Sequence, residues 1–224
     1  MSNSASDLAP WRSPLSRALH RNRAQPFCRF LQLATLRLDG TPANRTVVFR
    51  GFFDSLSFGS LSHPLDAETT PENPSAQDGN QLMIISDRRS EKISQIQQNP
   101  HAEACWYFTK TREQFRLSGR LQIVTAETED SVLKQARDQI WQNISDNART
   151  QFAWPQPKAS RIEDSAAFCP DEAPARQTAL PDFCLLLLSV HSVDHLSLRG
   201  EPQNRTLYES TESNNQWSVK AVNP

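Results

Sequence analysis

Residues 101–124 read HAEACWYFTKTREQFRLSGRLQIV, and this stretch decides the fold class. Its second half alternates apolar with polar residues. One face of that half carries Phe115, Leu117, Gly119, Leu121 and Ile123. Alternation with a period of two is typical of a half-buried β-strand. The stretch therefore predicts two long strands, at residues 102–108 and 113–124, joined by a short turn.

Further predicted strands lie on both sides of this pair. Apolar blocks precede it at residues 30–38, 44–53, 55–59 and 81–86, and the last is a continuous run typical of a buried strand. Others follow at residues 183–190, 193–198, 205–208 and 217–219. Strands and helices do not alternate as in βαβ units, so the sequence favours a mainly antiparallel barrel over a doubly wound sheet.

Two or three peripheral helices are predicted around the barrel. The first begins where Ser13 and Pro14 fit the N-cap and first helical positions. A short second helix follows Ser90 and ends at an Asn-Pro pair, because the residue before proline is disfavoured in a helix. The third spans residues 128–148, with an acidic first turn and an apolar stripe along one face.

We expect residues 1–224 to form a single domain. The first predicted helix makes an N-terminal extension at about residues 8–24. Proline and polar residues dominate two stretches, 63–80 and 155–182, which we predict to be long loops.

Glycine is scarce, with six glycines against fifteen prolines. The glycines stand singly, so the chain contains neither G-x-G-x-x-G nor G-x-x-x-x-G-K. Rossmann and P-loop nucleotide binding are thereby excluded. Any phosphate that this protein holds must be bound by side chains or by a helix N-terminus.

Net charge and cysteine content indicate which partners and which compartment to expect for this protein. A formal net charge of -1 provides no general attraction for nucleic acid or an acidic membrane. The four cysteines are widely spaced, which favours reduced thiols over a pair of disulfides. The start of the chain lacks an apolar signal core, and the longest apolar run, residues 183–188, is too short to cross a bilayer. We therefore expect a soluble, cytoplasmic protein without membrane or nucleic-acid partners.

Two histidines have the spacing of a metal site. His191 and His195 are four residues apart, but the surrounding pattern predicts a strand rather than a helix, and no cysteine or glutamate completes the set. We expect no metal.

Basic residues gather where the strand at 81–86 meets the short helix. Arg88 and Arg89 precede Ser90, a candidate helix cap, and Lys92 falls in the first helical turn. Cations are mildly unfavourable at a helix N-terminus, so their presence suggests that a bound anion compensates them. The alternative is that the arginines extend into water and Glu91 neutralises them.

Two arginines five residues apart flank the strand segment RTVVFR. Arg45 and Arg50 should point to opposite faces of that strand, because successive side chains alternate. An arginine directed inward needs an anionic partner. Alternatively, the strand lies at an edge and both ends are solvated.

Taken in chain order, these sequence segments resemble the pyridoxamine 5′-phosphate oxidase family of FMN-binding split barrels, in particular its branch found in cyanobacteria and plants. The family pattern R-x-V-x-x-(K/R) matches the RTVVFR segment, and a serine-rich S-R-K pattern matches SDRRSEK before the short helix. The pattern R-Q-(V/F)-R-(I/L)-x-G matches REQFRLSG, and the closing W-x-(V/L) pattern matches WSVKAVNP.

The resemblance implies an antiparallel, Greek-key split barrel that binds FMN at the interface of a homodimer. The implied cofactor-binding residues are Arg45, Thr46, Val47, Val48, Arg50, Ser86, Ser90, Lys92, Gln114 and Arg205. Arg50 and Arg149 are the candidates for binding a phosphorylated substrate, and no catalytic residue is implied. The implied chemistry is hydride transfer from the C4′ of a vitamin B6 phosphate to flavin N5, with dioxygen reoxidising the flavin and releasing peroxide.

Some family motifs are altered in this chain. Glu91 replaces the arginine of S-R-K, with Arg88 or Arg89 as candidate substitutes, and the substrate motif R-P-x-x-S-Q has no counterpart. The motif R-L-H-D-R is reduced to QNR at residues 203–205. The leading expectation is an FMN-dependent oxidase of pyridoxamine-phosphate type. The alternatives are an FMN carrier, a reductase of another substrate, and a split barrel without cofactor.

Overall fold

The computed structural model of the chain describes residues 8–59, 79–211 and 216–224, and within them eight strands form one antiparallel sheet. The strands are β1 (Phe30–Leu36), β2 (Pro42–Phe53), β3 (Gln81–Asp87), β4 (His101–Phe108), β5 (Glu113–Val124), β6 (Phe183–Ser197), β7 (Asn204–Thr211) and β8 (Gln216–Val222). Their order across the sheet is β3-β2-β1-β4-β5-β6-β7-β8, and β3 also pairs with β6. That pairing closes six strands into a barrel, which β7 and β8 extend.

The barrel has Greek-key connectivity. Strand β4 lies beside β1 instead of β3, which gives the spatial order β4-β1-β2-β3. The predicted fold class, a mainly β antiparallel split barrel, is confirmed.

Helices lie around the barrel. They are α1 (Arg12–Asn22), α2 (Ser55–Gly59), α3 (Glu91–Gln98), α4 (Ser131–Asn143) and α5 (Asp146–Thr150), with 3-10 turns at Gln151–Ala153 and Ser165–Phe168. Three of the described helices, α1, α3 and α4, have eight residues or more, in agreement with the predicted two or three.

Several predicted helix boundaries are wrong. Helix α1 begins at Arg12, after Trp11 rather than Ser13, and the apolar block at 55–59 is the helix α2 instead of strand. The helix predicted at 128–148 is divided because Ser145 accepts a hydrogen bond from the Ala148 N–H and starts α5. Short side chains that bond to nearby backbone compete with helix continuation in this way.

The two strands predicted at 183–190 and 193–198 are one strand, β6. Its register against β5 shifts so that Val190 pairs with Gly119 and Ser192 pairs with Ser118. His191 is therefore the extra residue of a β-bulge, and it breaks the sequence alternation without ending the strand.

Two apolar clusters use the opposite faces of β3 and β6. On β6, Leu186 and Leu188 face the barrel interior, whereas Leu185 and Leu187 face a second cluster under α4. Burial on both faces explains why β3 and β6 are continuous apolar runs. In the second cluster, Trp141, Phe152 and Phe183 form an aromatic triangle with ring centroids 5.0–5.8 Å apart.

The predicted long loops have different outcomes. Most of 63–80 lies outside the described residues. The stretch 155–182 is irregular apart from its 3-10 turn, and its carbonyls accept hydrogen bonds from the indole of Trp141 and the guanidinium groups of Arg137 and Arg149. That the whole chain forms one domain stays a prediction.

The state of the cysteines and the length of the helices bear on the expectations of reduced thiols and of no membrane partner. All four cysteines are free thiols. No helix in the described part of the chain is long and apolar enough to cross a membrane.

Candidate functional site

A cavity of about 380 Å³ opens between β2, the end of β3, the start of α3 and the segment after α5. It brings together seven of the predicted cofactor-binding residues: Arg45, Thr46, Val47, Val48, Arg50, Ser86 and Lys92. We call this cavity the β2–α3 cleft. Seven of the ten family-derived residues are therefore gathered in one place, although they lie up to 47 positions apart in the sequence.

Arg50 lies at an irregular point of β2. The register against β3 shifts between Phe49 and Gly51, and Gly51 has a φ of +141°, a conformation that favours glycine. The Arg50 Nε is buried and has no hydrogen-bond acceptor among the described residues. Burial, followed by the charge of Arg29, lowers the pKa of Arg50. A desolvated guanidinium without an acceptor fits the binding of an anion.

Within the described ranges, the hydrogen bonds of the Lys92 ammonium go to neutral oxygens. Its Nζ donates to Ser86 Oγ and Ser90 Oγ, each at 3.0 Å. Burial, followed by the charge of Arg45, lowers the pKa of Lys92. Ser90 is the N-cap residue of α3, but its hydroxyl donates to the Asp87 carbonyl at 2.7 Å instead of capping the helix. The ammonium and the helix N-terminus therefore present positive charge to the cleft.

Arg45 is bound to neutral groups, and the anionic partner expected for an inward arginine is absent from its hydrogen bonds. Its Nη1 donates to the Leu33 carbonyl at 3.1 Å and to Thr35 Oγ1 at 2.6 Å, and its Nη2 donates to Gln95 Oε1 at 2.9 Å. Thr35 and Gln95 are both buried. Sequence analysis missed these two positioning residues, since a lone buried polar residue leaves no pattern.

Arg88 and Arg89 do not contribute free charge to the cleft. Arg88 forms an ion pair with Glu127 at 2.7 Å. Arg89 pairs with Asp87 at 2.6 Å and with Asp182 at 3.2 Å, and donates to the carbonyls of Phe152 and Trp154. The alternative that Glu91 neutralises these arginines is wrong, because Glu91 pairs with Lys158 instead. That Arg88 or Arg89 substitutes for the arginine missing at position 91 stays a prediction.

Gln114 and Arg205 lie outside the β2–α3 cleft. Gln114 on β5 pairs with Leu196 on β6, and Leu196 pairs with Arg205 on β7, so the three form a row across the sheet. Arg205 is held by Asp194 through hydrogen bonds of 2.9 and 2.6 Å. Three strand spacings, roughly 14 Å, separate the row from β2. One chain does not bring this row and the cleft into a single cavity.

Arg149 has a structural environment. The residue is 3% exposed, and its guanidinium donates to the carbonyls of Pro174 and Ile144 and to the carboxylate of Asp146. It does not line the cleft. The suggested contact to a substrate phosphate therefore has no support in its geometry.

The far wall of the cleft was not predicted. Phe152 and Trp154 line it, and Phe152 is fixed by packing against Trp141 and Phe183. Aromatic residues at such spacing usually belong to a core, and Phe152 has both roles.

Comparisons with known proteins agree with this arrangement. Residues 8–125, just over half of the chain, match the family model described as pyridoxamine 5′-phosphate oxidase, FMN-binding domain. The chain belongs to this family. The matched segment contains the whole β2 and α3 side of the cleft and Gln114.

Relatives of this family cover the full chain. The pyridoxine/pyridoxamine 5′-phosphate oxidase 2 of Arabidopsis thaliana is 31% identical over 97% of this chain and 98% of its own. A crystal structure of a pyridoxamine 5′-phosphate oxidase-related, FMN-binding protein from Nostoc punctiforme PCC 73102 is 46% identical, with all of both chains covered and a TM-score of 0.81. PhzG of Burkholderia lata 383 has a TM-score of 0.67 at 18% identity, covering all of this chain and 98% of its own, and supports the fold alone.

Proposed function

We propose that this protein binds FMN and acts as an oxidoreductase of pyridoxamine-phosphate-oxidase type. The observation that carries the proposal is the pair of cations in the β2–α3 cleft, Arg50 and Lys92, neither of which has a carboxylate partner within 4.0 Å among the described residues. The FMN phosphate supplies the missing negative charge.

Residues of the cleft divide the work of holding the cofactor. Arg50 and Lys92 bind the phosphate, and Ser86 and Ser90 orient the ammonium of Lys92. Arg45, held by Thr35 and Gln95, adds a third positive charge to the same cleft. The backbone of β2 at Val47 and Val48 borders the flavin. Bound FMN would supply the capacity to take up a hydride and to reduce dioxygen, and the residues of the chain would bind and orient the cofactor.

We further propose that the functional unit is a homodimer. Gln114 and Arg205 belong to a row that does not reach the cleft of the same chain, and an isologous contact would bring the row of one copy to the cleft of the other. Phe30 and Tyr107 lie on the outer face of the adjoining strands β1 and β4, and are 46% and 43% exposed. Exposed aromatic side chains beside such a row fit an interface.

A second function is favoured by one observation. Arg149, the candidate for a substrate phosphate, has its donors engaged within its own chain. An FMN-binding protein without vitamin B6 oxidase activity, acting as a carrier or a reductase of another substrate, fits that environment. We place either activity in the cytoplasm.

Two measurements separate these functions. Purified protein should show flavin absorption, either as isolated or after FMN is added, and the peroxide released with pyridoxamine 5′-phosphate reports oxidase activity. Bound FMN with peroxide release supports the oxidase. Bound FMN without release supports the second function, and failure to bind added FMN contradicts both.

The dimer is tested by mass and by substitution. Light scattering should give twice the 25.3 kDa of the chain. Tyr107→Glu should yield monomers and weaken FMN binding together, whereas Leu38→Glu, at another exposed apolar position, should change neither. A wild-type monomer that binds FMN would contradict the interface.

A further inference from the structure

A second basic cavity lies on the other side of the sheet from the Gln114–Arg205 row. It has a volume of about 330 Å³, and its lining residues are Arg17 and Arg21 of α1, Thr111, Glu113, His195, Ser197 and Arg199. We call it the α1 cavity. The proposed function uses none of these residues.

Its three arginines are gathered around the turn between β4 and β5. Asn22, the buried last residue of α1, donates to Thr111 Oγ1 at 3.1 Å and accepts from the Lys110 N–H at 3.0 Å. Arg199 donates to the Lys110 carbonyl at 2.6 Å. Helix α1, which carries Arg17 and Arg21, and the segment just after β6, which carries Arg199, are therefore bound to the same turn.

The floor of the α1 cavity is a fixed pair of polar side chains. The His195 ring stacks on Phe115, with centroids 4.1 Å apart and planes within 9°. Its Nε2 lies 3.0 Å from Glu113 Oε2, and both side chains are only 12–13% exposed. Burial alone would raise the pKa of Glu113, but hydrogen bonds from His195 and Thr111 and the charge of Arg17 hold it below its usual value.

Positive charge in this cavity is in excess. Glu113 is its one carboxylate among the lining residues, against three guanidinium groups. None of the three arginines has a carboxylate oxygen within 4.0 Å in the described part of the chain. Arg17 and Arg21 are four residues apart on one helix face, where like charges repel. The helix dipole favours Arg21 in the last turn, but it does not account for Arg17 or Arg199.

We propose that the α1 cavity is an anion-binding site for a small dianion of the phosphomonoester type. Its excess of two positive charges matches a phosphate group, whose charge at neutral pH is about -1.5 to -2. Arginine forks bind such oxygens in pairs of hydrogen bonds. The volume is at the lower end for small-molecule sites, so the ligand is small.

Inorganic phosphate is the probe for this site. Because phosphate can also enter the β2–α3 cleft, the titration uses Arg50→Gln/Lys92→Gln protein, in which that cleft has lost the two cations proposed to bind phosphate. Calorimetry should detect phosphate binding in this background, weakened at least about tenfold by Arg17→Gln/Arg199→Gln. The matched control is Arg23→Gln/Arg120→Gln, which removes two exposed arginines outside the cavity and should leave the affinity unchanged.

A parallel titration guards against misfolding of the multiple variants. Wild-type protein saturated with FMN should still bind phosphate, and Arg17→Gln/Arg199→Gln alone should weaken this binding by a similar factor. Equal affinity with and without Arg17 and Arg199, or no phosphate binding in either titration, overturns the proposal. Loss of FMN binding in the Arg50→Gln/Lys92→Gln protein bears on the proposed function only, so the two can fail separately.

Discussion

Cationic side chains at the two walls of the β2–α3 cleft differ in whether the chain itself supplies their carboxylate partners. On the β2 and α3 wall, Arg50 and Lys92 are desolvated and meet no carboxylate among the described residues. Arg89 reaches across to the carbonyls of Phe152 and Trp154 on the other wall, and Arg149 lies behind that wall; each is bound by carbonyl and carboxylate oxygens of the chain itself. The acceptors around each cation, rather than its position in the sequence, distinguish the two cations that we propose to bind ligand from the structural ones.

The largest expected effect is on the free energy of unfolding, when the buried Arg149 is replaced. Arg149→Met should lower the free energy of unfolding by about 2–4 kcal/mol, because it leaves the buried carbonyls of Ile144 and Pro174 without donors. Urea unfolding measures this loss. Arg176→Met is the matched control, since Arg176 is 59% exposed and pairs with the same Asp146. A change below about 0.5 kcal/mol in Arg149→Met would show that Arg149 is not structural.

The next largest expected effect is on FMN affinity, when Lys92 is replaced. Lys92→Met should weaken FMN binding roughly tenfold to a hundredfold, the value of one hydrogen bond to a charged group. Stability should not fall, because the substitution removes a buried charge that has no carboxylate partner. Fluorescence titration with FMN measures the affinity. Lys158→Met, which removes an exposed lysine paired with Glu91, should leave it unchanged. Reduced stability with normal FMN affinity would show that Lys92 stabilises the fold and does not bind FMN.

The smallest effect is a dependence on pH. Burial lowers the pKa of Lys92 in the ligand-free protein, and a bound phosphate favours the charged ammonium. As pH rises through that lowered pKa, binding must take up a proton, so FMN affinity should already fall several-fold below the ordinary lysine pKa of about 10.4. Lys92→Arg should remove the dependence, because arginine stays protonated. A flat wild-type profile would indicate that Lys92 does not contact the phosphate.

Much of the barrel is predictable from sequence because its strands alternate or form short apolar runs. The failures have local causes. An extra residue at His191 makes one strand look like two, and Ser145 ends a helix whose apolar stripe continues past it.

The candidate site was predictable in part. The ordered motifs place Arg50, Ser86 and Lys92 together, and the structure brings them to one cleft. The same motifs do not show which cations are already paired. Arg88 and Arg149 meet their partners through side-chain geometry, which neither spacing nor composition records.

The most direct test compares FMN with riboflavin, which lacks only the phosphate. Wild-type protein should bind FMN at least about a hundredfold more tightly than riboflavin, since two charge-assisted contacts are lost without the phosphate. In Arg50→Gln/Lys92→Gln the ratio of the two Kd values should approach one, with riboflavin affinity little changed. In folded Arg149→Gln the wild-type ratio should persist. An unchanged ratio in the first variant, or a lost ratio in the second, would contradict the assignment of Arg50 and Lys92 as the phosphate-binding pair.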